Sequence, residues 1–274
     1  MERSARQYWD RLALRWRISS PLAPAGEDVA WFERQVAGCA TGKPPMRALL
    51  LGVTAAIATM RWPESTRLLA ADWSSGMLRN VWPSRGTPRI THVICADWRE
   101  LPLASASIDL AIGDGCYTAL GKIAEVSRLS DEIRRVLRPG ATLVMRCFCR
   151  PAAGLRIESL FEQLLARQIE NLDLFRWLLA MAVHGQSTTG VSLREVWEQW
   201  ARRVPDARAL QARLGWSEDS LTNMEGMSTA TMTYCFPTLD ELVALGAPTF
   251  ELVASDPPRY PWGELFPRLV LRAR

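Results

Sequence analysis

The stretch from Arg47 to Ser75, RALLLGVTAAIATMRWPESTRLLAADWSS, constrains the fold more than any other part of this chain. It runs through an apolar strand, a small-residue turn at Gly52-Val53-Thr54-Ala55, a short helix, and a second apolar strand that ends in Asp72. A glycine turn lets backbone approach a ligand closely, and an acid at the end of the next strand, about 20 residues on, can accept both hydroxyls of a ribose. Such a unit opens a nucleotide-binding α/β sheet. Only Gly52 is glycine, with Thr54 and Ala56 where a G-x-G-x-x-G repeat would place others, so the later strand ends must decide the ligand.

The pattern recurs downstream. Ser74 predicts an N-cap for a helix carrying Met77, Leu78 and Val81 and stopping at Pro83. A third strand, Ile90 to Cys95, ends at Ala96-Asp97-Trp98, and a fourth, Ile108 to Ile112, ends at Asp114-Gly115. A helix from near Ser130 has Asp131 and Glu132 in its first turn and Arg134, Arg135 and Arg138 in its last, as the macrodipole favours. Pro139-Gly140 ends it, and Ala141 to Phe148 is apolar enough for a central fifth strand. Strands alternating with helices predict an α/β fold, an open and mostly parallel sheet with helices on both faces.

Two segments flank this core. Tyr8, Leu12 and Trp16 recur at helical spacing within Ser4 to Trp16, a helix that either packs on the domain or covers a ligand. Pro21 to Pro24 breaks the chain, Asp28 can cap a second helix to about Val36, and Gly42-Lys43-Pro44-Pro45 bounds the first strand. From about Ala152 to Met227 the spacing is helical throughout, which predicts an insertion. Its tryptophans, Trp177, Trp197, Trp200 and Trp216, suit either a cover over a small acceptor or the insertion's own core. Ala230 to Phe236, Phe250 to Ala254 and Pro267 to Leu271 then read as strands, with a helix over Leu239 to Leu245.

Composition narrows the partners. A net charge of +4, with arginines interleaved with acids, shows no basic stripe, so no nucleic-acid partner is expected. No apolar run approaches the roughly 18 residues of a membrane span, and the charged N-terminus is unlike a secretory signal, so a cytoplasmic location is expected. The six cysteines form no C-x-x-C pair, and only His92 and His184 accompany them, so no metal site is expected and the thiols read as reduced.

In an open α/β sheet the ligand lies outside the carboxyl ends of the strands. The strand ends here offer Gly52 to Ala55, Asp72-Trp73, Asp97-Trp98 and Asp114-Gly115-Cys116-Tyr117. On these residues, and on the runs ADWRELPLASASIDLAIGDG and LSDEIRRVLRPGATLVMRCF, the chain resembles the class I S-adenosylmethionine-dependent methyltransferases. The resemblance covers about Arg47 to Phe148 well and the last two strands loosely. LLLGVT with D-W-S, G-D-G-C and R-R-V-L-R-P-G is similar to a divergent bacterial subgroup with an atypical first loop.

The resemblance implies a Rossmann-like sheet, mostly parallel with an antiparallel last strand, and S-adenosylmethionine as cofactor. It divides the single domain into an N-terminal helical lid (1–45), a cofactor-binding core (46–150), a helical insertion capping the substrate (151–228) and a completion of the sheet (229–274). By position, Gly52, Val53 and Thr54 approach the methionine part, Asp72 binds the ribose and Asp97 reads the adenine amino group. Trp73, Met77 and Trp98 either pack on the purine or belong to the core, and Gly115 and Cys116 also contact the cofactor. Leu51 stands where the family usually has an acid, so Asp114 is nominated for the methionine ammonium. Asp114-Gly115-Cys116-Tyr117 lacks the prolines of the N/D-P-P-Y/F motif, which argues against base or glutamine methylation; the strand-end acids with the family-like runs lead to a small-molecule acceptor as the expectation.

Candidates for a general base are Asp114, Tyr117 and His184. Two other readings of the same βαβ unit stay open: an NAD(P)-dependent oxidoreductase with a degenerate glycine loop, and a non-catalytic S-adenosylmethionine-binding protein.

Overall fold

A computed structural model describes residues 2–40 and 45–274, so Gly42 to Pro44 of the expected boundary lie outside the described residues. Two N-terminal helices, α1 (Glu2–Ala13) and α2 (Gly26–Cys39), precede the first strand. The core then runs β1 (Arg47–Leu51), α3 (Ala55–Ala58), β2 (Arg67–Asp72), α4 (Ser75–Asn80), β3 (Ile90–Cys95), β4 (Ile108–Asp114), α5 (Ala124–Val136) and β5 (Leu137–Arg146). The insertion contributes α6 (Ile157–Leu165), α7 (Leu172–His184), β6 (Val191–Ser192), α8 (Leu193–Arg203), α9 (Ala207–Leu214) and α10 (Glu218–Glu225). Finally come β7 (Thr233–Tyr234), α11 (Leu239–Gly246), β8 (Phe250–Asp256) and β9 (Arg268–Ala273).

Seven strands form one sheet in the order β3-β2-β1-β4-β5-β9-β8. β1 to β5 are parallel neighbours, and β9 runs antiparallel to both β5 and β8. β1 and β4 are fully buried along most of their length, as a sheet covered on both faces requires. One face packs on α2 and α3 through Phe32, Val36, Ile57, Leu50 and Ile112. The other packs on α5 through Val126, Leu129 and Ile133, with Leu49 and Leu143 beneath them. Strand order reverses between β1 and β4, which leaves a crevice above their carboxyl ends.

Four expectations need correction. α5 starts at Ala124, six residues before Ser130, because Val126 and Leu129 extend the buried face that Ile133 and Val136 continue. β5 follows it without a break and contains Pro139-Gly140, with a register shift between Ile108 and Leu110 on its partner and Gly140 at φ 76°. Ala230 to Phe236 does not rejoin the main sheet: only Thr233 and Tyr234 pair, with β6, in a separate two-stranded ribbon. Asp28 lies inside α2 at its third position, and Ala25 is the N-cap.

The insertion builds its own apolar core from Phe161, Phe175, Leu178, Trp200 and Met224, into which Tyr8 of α1, Phe148 just after β5 and Phe266 just before β9 also project. Among the described residues no helix is long and apolar enough to cross a membrane.

Candidate active site

The crevice at the switch point is a cavity of about 690 Å³. Its floor is the loop after β1 and the ends of β2 and β4, one wall is α1 and the segment Leu22 to Pro24, and the roof is Trp177 and Ala180 of α7 with Met227 and Met232 to Tyr234. Gly52, Val53, Thr54, Asp72, Trp73, Met77, Asp97, Trp98, Asp114, Gly115 and Cys116 all line it.

Gly52 turns the chain out of β1 at φ 91°, a conformation that favours glycine. Its N–H donates to the Ala71 carbonyl at 2.8 Å, and the same carbonyl accepts Trp98 Nε1 at 2.6 Å. The Trp98 indole therefore lies across the first loop, 3.5 Å from where a Cβ on Gly52 would stand. Asp72 is 6% exposed. Its Oδ1 accepts the Ser74 N–H at 2.8 Å, and burial pushes its pKa up to about 6. The Oδ2 side is turned to Gly52, 3.9 Å from the same Cβ position. A buried carboxylate with one oxygen presented to a cavity is short of donors, and two hydroxyls would supply them.

Asp97 receives a fork from Arg99, with Nε at 3.0 Å and Nη2 at 2.6 Å, and Arg99 also reaches Glu125 at 2.8 Å. Burial opposes its ionisation, but the Arg99 bonds outweigh that and lower its pKa. Asp114 ends the strand beside the first loop, since β4 pairs β1 with Gly113 opposite Leu51. Its Oδ1 accepts Arg146 Nε at 2.6 Å. Arg146 is fully buried and also donates to the Pro21 and Leu22 carbonyls, to Asp28 and to Tyr260. Asp28 in turn faces Arg268 at 3.4 Å.

Tyr117 and His184 are not brought into the crevice. Tyr117 points to the opposite side of the β4 loop, into the core beneath α5, where its hydroxyl lies 3.2 Å from Ser130 Oγ and burial raises its pKa. His184 closes α7, is 2% exposed, packs edge-on against Phe236, and has a pKa lowered by burial. Neither can act as a base on a molecule in the cavity as it stands. Asp114 does face it, but as the partner of Arg146.

The groups that fasten the cavity wall were hidden in the sequence. Asp10 Oδ1 accepts the Ser74 hydroxyl at 2.6 Å and the Gly76 N–H at 2.7 Å, which fastens α1 to the start of α4 beside Asp72. Arg6 adds a bond to the Trp73 carbonyl at 2.6 Å. Tyr8, Leu12 and Trp16, which the helical spacing had singled out, line the cavity from the same side, and Trp9 joins them. Of the insertion tryptophans, Trp177 is on the roof and Trp200 is in the core, while Trp197 and Trp216 pack partly buried on its outside. Among the described residues no group of three or more His, Cys, Asp or Glu could hold a metal ion.

Comparison with known proteins agrees with this geometry. Residues 49–145 match a methyltransferase domain family. A demethylmenaquinone methyltransferase of Mycolicibacterium gilvum is 27% identical over 223 residues, covering 80% of this chain and 88% of that protein. Among solved structures, the N-methyltransferase NodS from Bradyrhizobium japonicum, in complex with S-adenosyl-L-homocysteine, covers 98% of each chain at 10% identity with a TM-score of 0.51. A structure described as a putative zinc-dependent alcohol dehydrogenase from Rhodobacter sphaeroides covers 99% of each chain at 14% identity and a TM-score of 0.61, a likeness of fold. Residues 49–145 thus carry a methyltransferase domain, and the chain shares the fold of a methyltransferase that binds S-adenosyl-L-homocysteine. The protein is a methyltransferase whose methyl donor is S-adenosylmethionine.

Proposed function

We propose that this enzyme methylates a small, largely apolar molecule enclosed in the crevice. The observation that carries the reading is the lining of one cavity, in which the acids and the Gly52 loop are joined by Tyr8, Trp9, Trp16, Phe148, Trp177 and Tyr234. A pocket of this size roofed by aromatic side chains suits a compact acceptor rather than a polymer. The demethylmenaquinone methyltransferase relative supports a small-molecule acceptor as well.

The residues present fit the cofactor. Asp72 is placed for the ribose hydroxyls, and Asp97 with Trp98, Trp73 and Met77 for the adenine. The Gly52 to Thr54 backbone, Gly115 and Cys116 lie along the methionine part. Asp114 substitutes for the acid missing at Leu51: its second carboxylate oxygen can take the α-ammonium, and Arg146 holds it in place. Bound there, S-adenosylmethionine supplies a methyl carbon that accepts the acceptor's electron pair while the carbon–sulfur pair stays on sulfur.

The chain's part is to align and to exclude water. Asp97 and Glu125 are engaged by Arg99, and Asp114 by Arg146, so of the described carboxylates that line the cavity only Asp72, assigned to the ribose, is without an arginine partner. The acceptor therefore arrives with an ionised or easily ionised nucleophile, and its proton leaves to solvent. The experiment is transfer of isotopically labelled methyl to a panel of small phenols, quinols and amines alongside RNA and protein. Label on small aromatic molecules supports the proposal; label confined to polymers refutes it.

A further inference from the structure

Tyr8 of α1 and Tyr234 of β7 both line the cavity although 226 positions separate them in sequence, and their phenol groups lie close enough to act on each other's ionisation. Each is almost wholly buried, at 9% and 8% exposure. Each phenol hydroxyl carries one proton to donate. Among the described residues neither hydroxyl finds an acceptor in bonding geometry, so the pair presents its donors to the cavity it lines.

The setting is built to hold those donors still. The Trp177 ring stacks on Tyr234 with planes 1° apart and centroids at 5.0 Å, and Phe148 and Phe236 close on Trp177 edge-on at 5.0 and 5.2 Å. The ribbon carrying Tyr234 is tied to the loop after β4 by Cys235 N to the Thr118 carbonyl at 3.0 Å. Gly190, at φ 79°, permits the close approach: a Cβ there would collide with the carbonyls of Gly121 and Tyr234. Burial raises the pKa of both phenols, so both keep their protons at neutral pH. Arg176 faces both tyrosines, paired with Asp173 at 3.2 Å, and Arg11 acts on Tyr8 from its own helix. Arg176, which lines the cavity with the pair, suits an electron-rich oxygen there. Trp9, Leu12, Met227 and Met232 leave flat apolar surface around it.

We propose that the Tyr8–Tyr234 pair is the specificity site for the methyl acceptor, and that the acceptor is a planar aromatic ring bearing a hydroxyl or carbonyl oxygen that this pair binds. This rests on the small-molecule reading above and names its substrate class. The N-terminal helix then contributes a substrate contact as well as a wall.

The test uses the full chain saturated with S-adenosylhomocysteine and two probes, 1-naphthol and naphthalene, followed by quenching of tryptophan fluorescence. The wild type is expected to bind 1-naphthol about tenfold more tightly than naphthalene, the worth of one good hydrogen bond. The Tyr8→Phe/Tyr234→Phe double variant keeps both rings and their packing. It should bind the two probes equally while its affinity for S-adenosylhomocysteine is unchanged. A wild type with no preference, binding of neither probe, or a double variant that keeps the preference would each overturn the proposal. Failure of the wild type to bind S-adenosylhomocysteine would instead overturn the reading on which it rests.

Discussion

Replacing Arg146 by Met probes how the crevice wall is held. The guanidinium has no solvent exposure and satisfies Asp114 Oδ1, the Pro21 and Leu22 carbonyls, Asp28 and the Tyr260 hydroxyl at 2.6 to 3.3 Å. Met fills most of the volume but leaves Asp114 buried without its partner and two carbonyls without donors. Removing one member of a buried pair typically costs about 3–5 kcal/mol, most of it the penalty of the charge left behind. With an unfolding entropy of about 0.6 kcal/mol/K for a chain of this length, the melting temperature should fall by about 5–9 °C. Chemical denaturation of Arg146→Met, Asp114→Asn and the double variant measures both the loss and its origin. If the unpaired carboxylate is the cause, the double variant loses clearly less than the two single losses combined. A destabilisation below about 1 kcal/mol, or strict additivity, would refute this account of the network.

Three further outcomes are expected of the site. Asp72 titrates near 6 because of burial, and only its ionised form accepts two hydroxyls. Affinity for S-adenosylhomocysteine should therefore weaken as pH falls below about 6, by about tenfold per unit, and Asp72→Asn should flatten the profile; calorimetry between pH 5 and 8 checks this. In Gly76→Ala the new Cβ would lie 2.7 Å from the Asp10 Cα, a backbone atom that cannot turn aside. That variant should release α1, seen as faster proteolytic cleavage between Arg11 and Arg17 with the sheet intact. Tyr117→Phe should lose about 1 kcal/mol of stability or less, with no effect on methyl transfer beyond it, since the hydroxyl touches Ser130 and not the cavity.

The strands around the switch point were legible because each is a short apolar run ended by a polar residue. Ile90 to Cys95 agrees at both ends, and Arg47 to Leu51 and Arg67 to Asp72 share the same pattern. Their acids could be placed at one crevice because a parallel sheet collects its carboxyl ends on one side. Which way a side chain turns just beyond a strand was not legible: Cys116 faces the cavity, and its neighbour Tyr117 faces the core under α5. Long-range pairings were hidden for a different reason. Asp10 sits among polar residues of α1 and reads as solvated, yet it meets Ser74 across 64 positions. Arg146 within VMRCF was the one visible signal of the buried network, since a cation in an apolar strand needs partners. Ala230 to Phe236 had a strand's composition, but most of its apolar residues are used to pack the insertion.

Calorimetric titration of S-adenosylhomocysteine into the wild type and into Asp72→Ala tests the central claim, that the crevice above β1, β2 and β4 holds the methyl donor through the acid at the end of β2. Saturable binding at one site per chain is expected, weakened about tenfold to a hundredfold by the substitution, or roughly 1.5–3 kcal/mol. No binding at millimolar ligand, or equal affinity in the two proteins, would contradict it.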